Sequence, residues 1–496
     1  MTTITAPLRT KPRVIVTTDP ELDDLNSMLR MLLHANEIDL VGLVYSASEP
    51  HHKGNPELGI SPHRWPAEGE ILHIDQAINA YEKAYPNLRV HDSRYPTADA
   101  LRALVAMGNV DEVGDMREPT PGSDLIVREL LADDPRPLFL QAWGGLNTIA
   151  RALLSVEEEY GAAPDWEDIR ARIIATTVLT SFGEQDSTLR EYIRPHWPGM
   201  EHREVATTTW GYFARATVRA GAETLGAKWL AENVTSVGPI GGAYRVWGDG
   251  VQMADGFDAE DYFGLDGVSE EELRERGYMV WAPLQEKGSW ISEGDSSNFA
   301  LLVDNGLRNW EHPGYGGWGS LLWADPKVPG RWHSELNLGE VFAEDADNFN
   351  PGEMVAKMAA DPEPERHVAM WWPAIQSEFA ARLRWSVTER YEDANHPPQL
   401  RVDGGLDREI APGGSVELQV SALDPDGDEV SLRWWQYVEA GTCLAPVEVQ
   451  DLGDGRCRVS VGGEAEVGST IHILAEGADS GVPSFTRWAR IILTVN

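Results

Sequence analysis

The sequence predicts an α/β domain on a mostly parallel central sheet with flanking helices, followed by a small all-β sandwich of immunoglobulin type. Three observations carry this. The chain opens with an apolar strand pattern at 12–18, a helical pattern at 23–35 and a second strand pattern at 38–46, the β-α-β alternation of parallel sheets. At 496 residues it exceeds the size at which one core stops growing. After Pro397-Pro398 the pattern changes to short alternating segments between Gly, Asp and Pro turns. The expected division is 1–394 and 399–496, with a Pro-stiffened linker between.

The first strand runs into T-D-P-E-L-D-D, residues 18–24. Asp19 falls at the strand's carboxyl end, Pro20 directs the turn, and Asp23 and Asp24 lie on the first helical turn, where the dipole favours them. An acidic helix start and a hard-cation site both fit this spacing, because acids so close repel unless something neutralises them. The second strand leads to Ser46-Ala47-Ser48 on the same rim, where ligands of such folds bind. Residues 49–70, rich in His, Pro and Gly, read as a loop over the rim that carries His51, His52 and His63; facing solvent is the commoner case for such histidines, and contact of one with substrate is the alternative.

Helices are expected at 74–85, 97–107 and 121–131, the last with Ser123 as its cap. Residues 137–143 form a third strand that enters Gly144-Gly145-Leu146-Asn147 and a helix at 148–154, and the glycines permit close backbone approach. Residues 172–179 repeat the strand pattern and exit through a polar stretch containing Glu184 and Asp186. A strand at 204–210 and helices at 217–230 and 269–276 follow, around an irregular insertion at 238–267. A second acidic and hydroxyl-rich cluster, Ser292-Glu293-Gly294-Asp295-Ser296-Ser297-Asn298, precedes the aromatic loop at 309–320. Were Asp295 to join Asp19 and Asp24, carboxylates from distant parts of the chain would converge, which suits Ca²⁺ with waters and a backbone carbonyl completing the shell. Residues 368–391 read as helical, with Pro373 in the first turns.

In the second domain, strands are expected at 415–420, 430–437, 447–449, 457–461, 470–475 and 486–495. The D-P-D-G-D turn at 424–428 lacks the full twelve-residue calcium loop, so a solvated hairpin tip is the favoured reading. Of Trp434 and Trp435, one ring belongs in the core and the other outside it or against the first domain.

A formal charge of −39, from 80 acidic and 41 basic side chains, argues against nucleic acid and anionic membranes as partners. No apolar run has the length of a membrane helix. With two cysteines, Cys443 and Cys457, a disulfide scaffold and a cysteine metal site are excluded for the main body; an oxidising compartment is a condition for the two to pair, and the sequence leaves their pairing open. No secretory signal is seen, so the chain as given reads as cytoplasmic; an extracellular location would require a trimmed N-terminus. The 19 tryptophans suit either sugar-stacking walls or the packing of long loops.

T-D-P-E-L-D-D resembles the D-T-D-P-G-x-D-D-A signature of nucleoside hydrolases, and Gly-Gly-Leu-Asn resembles that family's G-P-L-T-N turn. The chain is more similar still to an uncharacterised bacterial nucleoside-hydrolase-like branch with a C-terminal sandwich domain, sometimes labelled cellulose-binding. That branch's S-E-G-D-S and E-H-P-x-x-G-G-W-G blocks stand at 292–296 and 311–319. The resemblance implies Asp19 as Ca²⁺ ligand and water-activating base, Asp24 and Asp295 as carboxylate ligands and the Trp143 carbonyl as a further ligand. It makes Asp23 a second catalytic group that holds sugar hydroxyls, and Ser48 a sugar contact. Candidate substrate contacts beside these are Glu184, Asp186, Glu293, Asn298 and His312, with Glu293, Asp186 and His312 as candidate acids for the leaving group. Thr17, Glu21 and Gly294 depart from the family pattern. The implied activity is Ca²⁺-dependent hydrolysis of N- or O-glycosidic bonds in a small sugar-containing substrate; the alternative is a non-catalytic carbohydrate-binding protein. A homo-oligomer is expected.

Overall fold

Strand β1 (Arg13–Thr18) sits mid-sheet because all six of its residues are apolar or can be hydrogen-bonded when buried. The computed structural model describes residues 11–251, 262–278, 280, 282–337 and 351–496, with backbone alone at 2–3 and 351–353. After β1 come β2 (Asp39–Tyr45), β3 (Val105–Met107), β4 (Leu138–Ala142), β5 (Thr177–Ser181), β6 (Glu201–Glu204), β7 (Trp323–Ala324) and β8 (Arg331–His333). The eight-stranded sheet has the order β3-β2-β1-β4-β5-β6-β8-β7, and every neighbouring pair is parallel except β7 with β8. The carboxyl ends of β1, β2, β4, β5 and β6 therefore share one rim, and the segments leaving them build the site.

Helix α1 (Leu22–Leu32) is buried along its whole length. Helix α2 (His73–His91) is longer than its sequence pattern and carries Pro86 internally. The helix expected at 97–107 stops early: α3 (Ala98–Arg102) gives way to β3, where Val105 pairs with Leu43 at the sheet edge. Helix α4 (Pro121–Leu131) is capped by Thr120, with Ser123 returning the bond in a capping box, so Ser123 is the N3 partner rather than the cap. Helix α5 (Asn147–Tyr160) follows the double-glycine turn.

Two expected strands are shorter or displaced. Helix α6 (Trp166–Thr176) takes most of 172–179 and leaves the strand to Thr177–Ser181. The chain leaves the sheet after Glu204, and residues 205–213 form a wall of the site instead of a strand. The helix expected at 217–230 is broken into turns at Ala222–Leu225 and Ala227–Leu230, because Gly221 sits at φ 76° and Gly226 is extended. Part of the insertion at 238–267 lies outside the described residues. The tract expected at 368–391 is divided: Arg366–Ala369 is a short helix of its own, and Trp372–Trp385 is the main one, with Pro373 in its first turn as expected.

The C-terminal residues form two facing sheets. One joins β9 (Gln399–Val402), β11 (Ser415–Leu423), β14 (Arg456–Val461) and β13 (Val447–Gly453), with Thr2–Thr3 added at the β9 edge; the other has the order β10 (Asp407–Ile410), β16 (Thr486–Val495), β15 (Thr470–Asp479), β12 (Val430–Gln436). Strands β9 and β10 were not evident in sequence, the first being short after two prolines and the second mostly charged. Trp434 lies in the sandwich core, whereas Trp435 packs on Trp371 of the first domain at 5.8 Å. Both cysteines are free. Among the described residues, no helix is long and apolar enough to cross a membrane.

Candidate active site

Leaving β1, the chain turns at Pro20 and delivers Asp19 to the rim with its side chain wholly buried. Asp19 Oδ2 accepts a close hydrogen bond from Ser48 Oγ and lies 3.0 Å from His51 Nδ1. Asp19 Oδ1 is buried and has no partner. Gly144 makes room for it: a Cβ there would stand 2.7 Å from this oxygen. Glycine at the end of β4 is thus a steric requirement.

Asp24 Oδ1 accepts a close bond from Thr18 Oγ1, which sits 2.9 Å from His73 Nε2. The Thr18 proton is committed to Asp24, so the imidazole must donate. Burial pushes the His73 pKa down to about 3, so His73 brings no countercharge. Asp295, at the start of the Ser296–Ala300 helix, lies near enough for its charge to raise the Asp24 carboxyl, and its Oδ1 is buried without a partner. Asp23 Oδ2 accepts from Ser292 Oγ at 3.0 Å. Gly294 lets it approach, since a Cβ there would be 2.9 Å from Asp23 Oδ2 and 3.6 Å from the Phe182 ring.

Electrostatics make this an uncomfortable group. Burial, followed by neighbouring carboxylates, raises Asp24 and Asp295 well above the usual range. Burial raises Asp23 to about 6, with Asp19 adding and Ser292 opposing. Glu21 is also raised, by burial and then by Asp23 and Asp19, with Arg64 opposing. Glu21 side-chain exposure is 21%, and its Oε1 accepts from the Tyr212 hydroxyl at 3.2 Å. Ligand atoms of Asp19, Glu21 and His51 lie within 4.8 Å of one another, as do those of Glu21, Asp23 and Asp24. An acidic helix cap does not account for this: Glu21 makes no cap hydrogen bond, and both helical aspartates point into the protein. The two orphaned carboxylate oxygens and the mainly carboxylate donors fit a hard divalent cation, although among the described residues Asp295 is not part of a group whose ligand atoms close to 4.8 Å.

Other expected site residues have different neighbours. The Trp143 carbonyl accepts from Gln185 Nε2 at 2.7 Å. Glu293 is buried and held by Arg30 at 2.6 and 2.8 Å, with Tyr244 and Ser296 also donating to it. Asp186 accepts from the Asn147 backbone N–H at 2.9 Å and from Thr188 at 2.8 and 2.6 Å, which pins the start of α5. Glu184 pairs with Arg194 at 2.9 Å and Arg190 at 3.4 Å. His312 is exposed; its Nδ1 accepts from Gly314 N–H at 3.0 Å and its ring packs on Trp332. Asn298 donates to the Asp295 carbonyl at 3.3 Å and keeps a buried, unpartnered Oδ1. Asn147 is tied to Ser46, Asn109 and Asp115.

The solvent-facing expectation fails for His51, which is wholly buried against Asp19. Its signal was position: three residues past Ser48, on the segment leaving β2 at the rim, where Ser48 and His51 bond backbone to backbone at 2.8 and 3.2 Å. His73 and Tyr212 carried no comparable signal.

Residues 13–320 match the family described as cellulose-binding Sde182, nucleoside hydrolase-like domain, and residues 415–495 match cellulose-binding protein Sde0182, C-terminal domain. A solved nucleoside hydrolase-related hypothetical protein from Saccharophagus degradans, described as associated with carbohydrate metabolism, is 22% identical. The match covers 98% of this chain and 100% of that one, with a TM-score of 0.70, and so shares the fold. A plant nucleoside hydrolase aligns over 73% of this chain and 99% of its own at 11% identity, with a TM-score of 0.30, and nothing is drawn from it. No curated protein matches.

Proposed function

The chain belongs to the Sde182 family with a nucleoside hydrolase-like domain, and on that premise we propose a Ca²⁺-dependent hydrolase of N- or O-glycosidic bonds in a small sugar-containing substrate. The observation that carries this reading is the pair of buried carboxylate oxygens, Asp19 Oδ1 and Asp295 Oδ1, left without donors in a cluster of acids. Asp19, Asp24 and Asp295, with the Trp143 carbonyl, would hold the ion. When bound, the ion supplies the charge that keeps these acids ionised together and polarises a water.

The chain's own groups then divide the work. Asp19 is fixed through Oδ2 by Ser48 and His51, so Oδ1, with two lone pairs, is the oxygen left both to meet the ion and to take the proton of the attacking water. The water oxygen bonds to the anomeric carbon as the bond to the leaving group breaks, and the electron pair departs with that group. Asp23, held by Ser292, accepts from sugar hydroxyls and opposes the positive charge developing on the ring. Asn298 Oδ1 is a further buried acceptor suited to a hydroxyl. Glu293 and Asp186 are engaged by Arg30 and by the start of α5, so the proposal gives neither the leaving-group proton.

Binding without turnover is the second reading, favoured by Thr17, which stands where nucleoside hydrolases have an acid and spends its hydroxyl on the Gln141 carbonyl at 3.3 Å. Its expected sugar platform is not exposed: every described tryptophan is buried or half-buried. A product screen across nucleosides, furanosides and pyranosides, with and without chelator, separates the two. Asp19→Asn is expected to lower kcat about 10²–10⁴-fold with the fold intact by circular dichroism. Unchanged turnover on a verified substrate overturns the assignment, and sugar binding without hydrolysis supports the second reading.

A further inference from the structure

We propose that the C-terminal sandwich holds a Ca²⁺ site of its own, formed by Asp424, Asp426 and Asp428 in the turn between β11 and β12, which fastens the interdomain linker to the sandwich. This does not depend on the pocket of the first domain. The turn reads D-P-D-G-D, and one oxygen from each aspartate lies within 4.8 Å of the others. A cluster of surface acids would mean little without a second observation, and Asp424 supplies it. The residue is 9% exposed, and its Oδ1 accepts the turn's backbone N–H groups of Asp426 and Asp428 at 2.8 and 3.1 Å. Its Oδ2 is buried and accepts nothing. A buried carboxylate oxygen is costly to leave bare, and the neighbouring acids offer no proton donor in their ionised form.

The surroundings deepen the deficit. Asp479 on β15 is 7% exposed, and burial together with the Asp424 charge raises its carboxyl above the usual range. Asp479 Oδ1 accepts from Asn395 Nδ2 at 3.1 Å, and Asn395 Oδ1 is in turn buried without a partner. Among the described residues, no lysine or arginine pairs with Asp424, Asp426 or Asp428. What does reach them is the linker and one hydroxyl: His396 donates to Asp426 from its backbone N–H at 2.6 Å and from Nδ1 at 3.0 Å, and Ser480 Oγ donates to Asp428 at 3.1 Å. Asp426 therefore faces both the acid cluster and the linker residue. An ion on the cluster would fix the geometry of the joint at Asn395-His396, and oxygen donors alone select a hard cation.

Calorimetric titration of the full chain with Ca²⁺ tests this in an Asp24→Asn/Asp295→Asn background, which takes away two of the three carboxylates proposed to hold the rim ion. One remaining site is expected, along with Ca²⁺-dependent protection of the 395–398 linker from proteolysis. Asp424→Asn keeps an oxygen for the turn's N–H groups but loses the bare carboxylate oxygen, and it is expected to weaken that site at least tenfold. Asp428→Asn, at a half-buried position, should do the same and guards against misfolding of the first variant. The proposal falls if the background protein binds no Ca²⁺ up to several times the roughly 1 mM upper end for such modules. It falls equally if folded Asp424→Asn and Asp428→Asn bind with unchanged affinity. An unsubstituted chain that binds a single Ca²⁺, lost in Asp424→Asn, would count against the proposed function alone.

Discussion

Two groups of acids are buried in the first domain, and the protein treats them in opposite ways. Glu37 and Glu378 meet Arg382 at 2.8 Å each, Arg487 of the sandwich reaches Glu378 at 2.6 Å, and His34 lies 2.7 Å from Glu37. Burial works against these charges, yet the guanidinium groups prevail and both carboxyls are held below the usual range. At the rim, Asp23, Asp24 and Asp295 meet hydroxyls and one another, and all three are raised. The first group is a lock: it ties the end of α1, the Trp372–Trp385 helix and the sandwich together. The second has been left short of positive charge, which is the condition of a site that takes its cation from solution.

Breaking the lock should have the largest effect. Arg382→Met leaves Glu37 and Glu378 buried with a deficit of cationic partners, and such losses cost about 3–5 kcal/mol. Urea titration reads it directly. A loss below about 1 kcal/mol would mean that the lock is no more dependent on its arginines than the rim is, and the contrast would be lost.

Neutralising an acid at the rim should act with the opposite sign. Asp24→Asn removes one of several mutually repelling charges, so the chelator-treated protein is expected to gain about 1 kcal/mol. Measured in an Asp424→Asn background, which takes out the sandwich site, the same change should abolish stabilisation by added Ca²⁺, which for a one-site ion amounts to about 2.7 kcal/mol at a hundred times Kd. Paired melts with Ca²⁺ and with chelator measure both. A variant less stable without metal, or one that keeps the Ca²⁺-induced rise, would show that Asp24 is structural.

The contrast also marks what could be read from residue order. T-D-P-E-L-D-D announced a strand, a turn and a crowded helix start, since each feature is local. The arrival of Asp295 beside Asp24 could be framed from the acidic cluster at 292–298 only as a condition, and resemblance alone made it an expectation, because it depends on chain closure across most of the domain. Glu293, Asp186 and Glu184 looked like equivalent rim acids in sequence. Their partners Arg30, the Asn147 backbone and Arg194 are set by packing, and no local pattern advertises them. The same limit hid His51, which reads as a polar loop residue until the loop folds back over Asp19. Two of the errors in the fold share a cause: 97–107 and 172–179 contain helix and strand end to end, and a single period read over each misses the join.

A smaller effect sharpens the comparison by pH. Asp23 moves from 3.8 to about 6 on folding, so between those values the folded state holds a proton that the unfolded state has released. Stability then falls as pH rises, by about 1 kcal/mol per pH unit over the steepest part, since the slope follows the protons bound in the unfolded state minus those in the folded state. Glu37 and Glu378 have the reverse sign: their carboxyls are depressed in the folded state, and their contribution is present above the ordinary carboxylate range and lost as pH falls below it. Chelator-treated protein melted from pH 4 to pH 6.5 should therefore lose stability in a segment that Asp23→Asn flattens. Saturating Ca²⁺ should flatten the same segment, because an ion at the rim favours the ionised acids. A segment that persists unchanged in Asp23→Asn would assign the slope to other groups and remove Asp23 from the raised set.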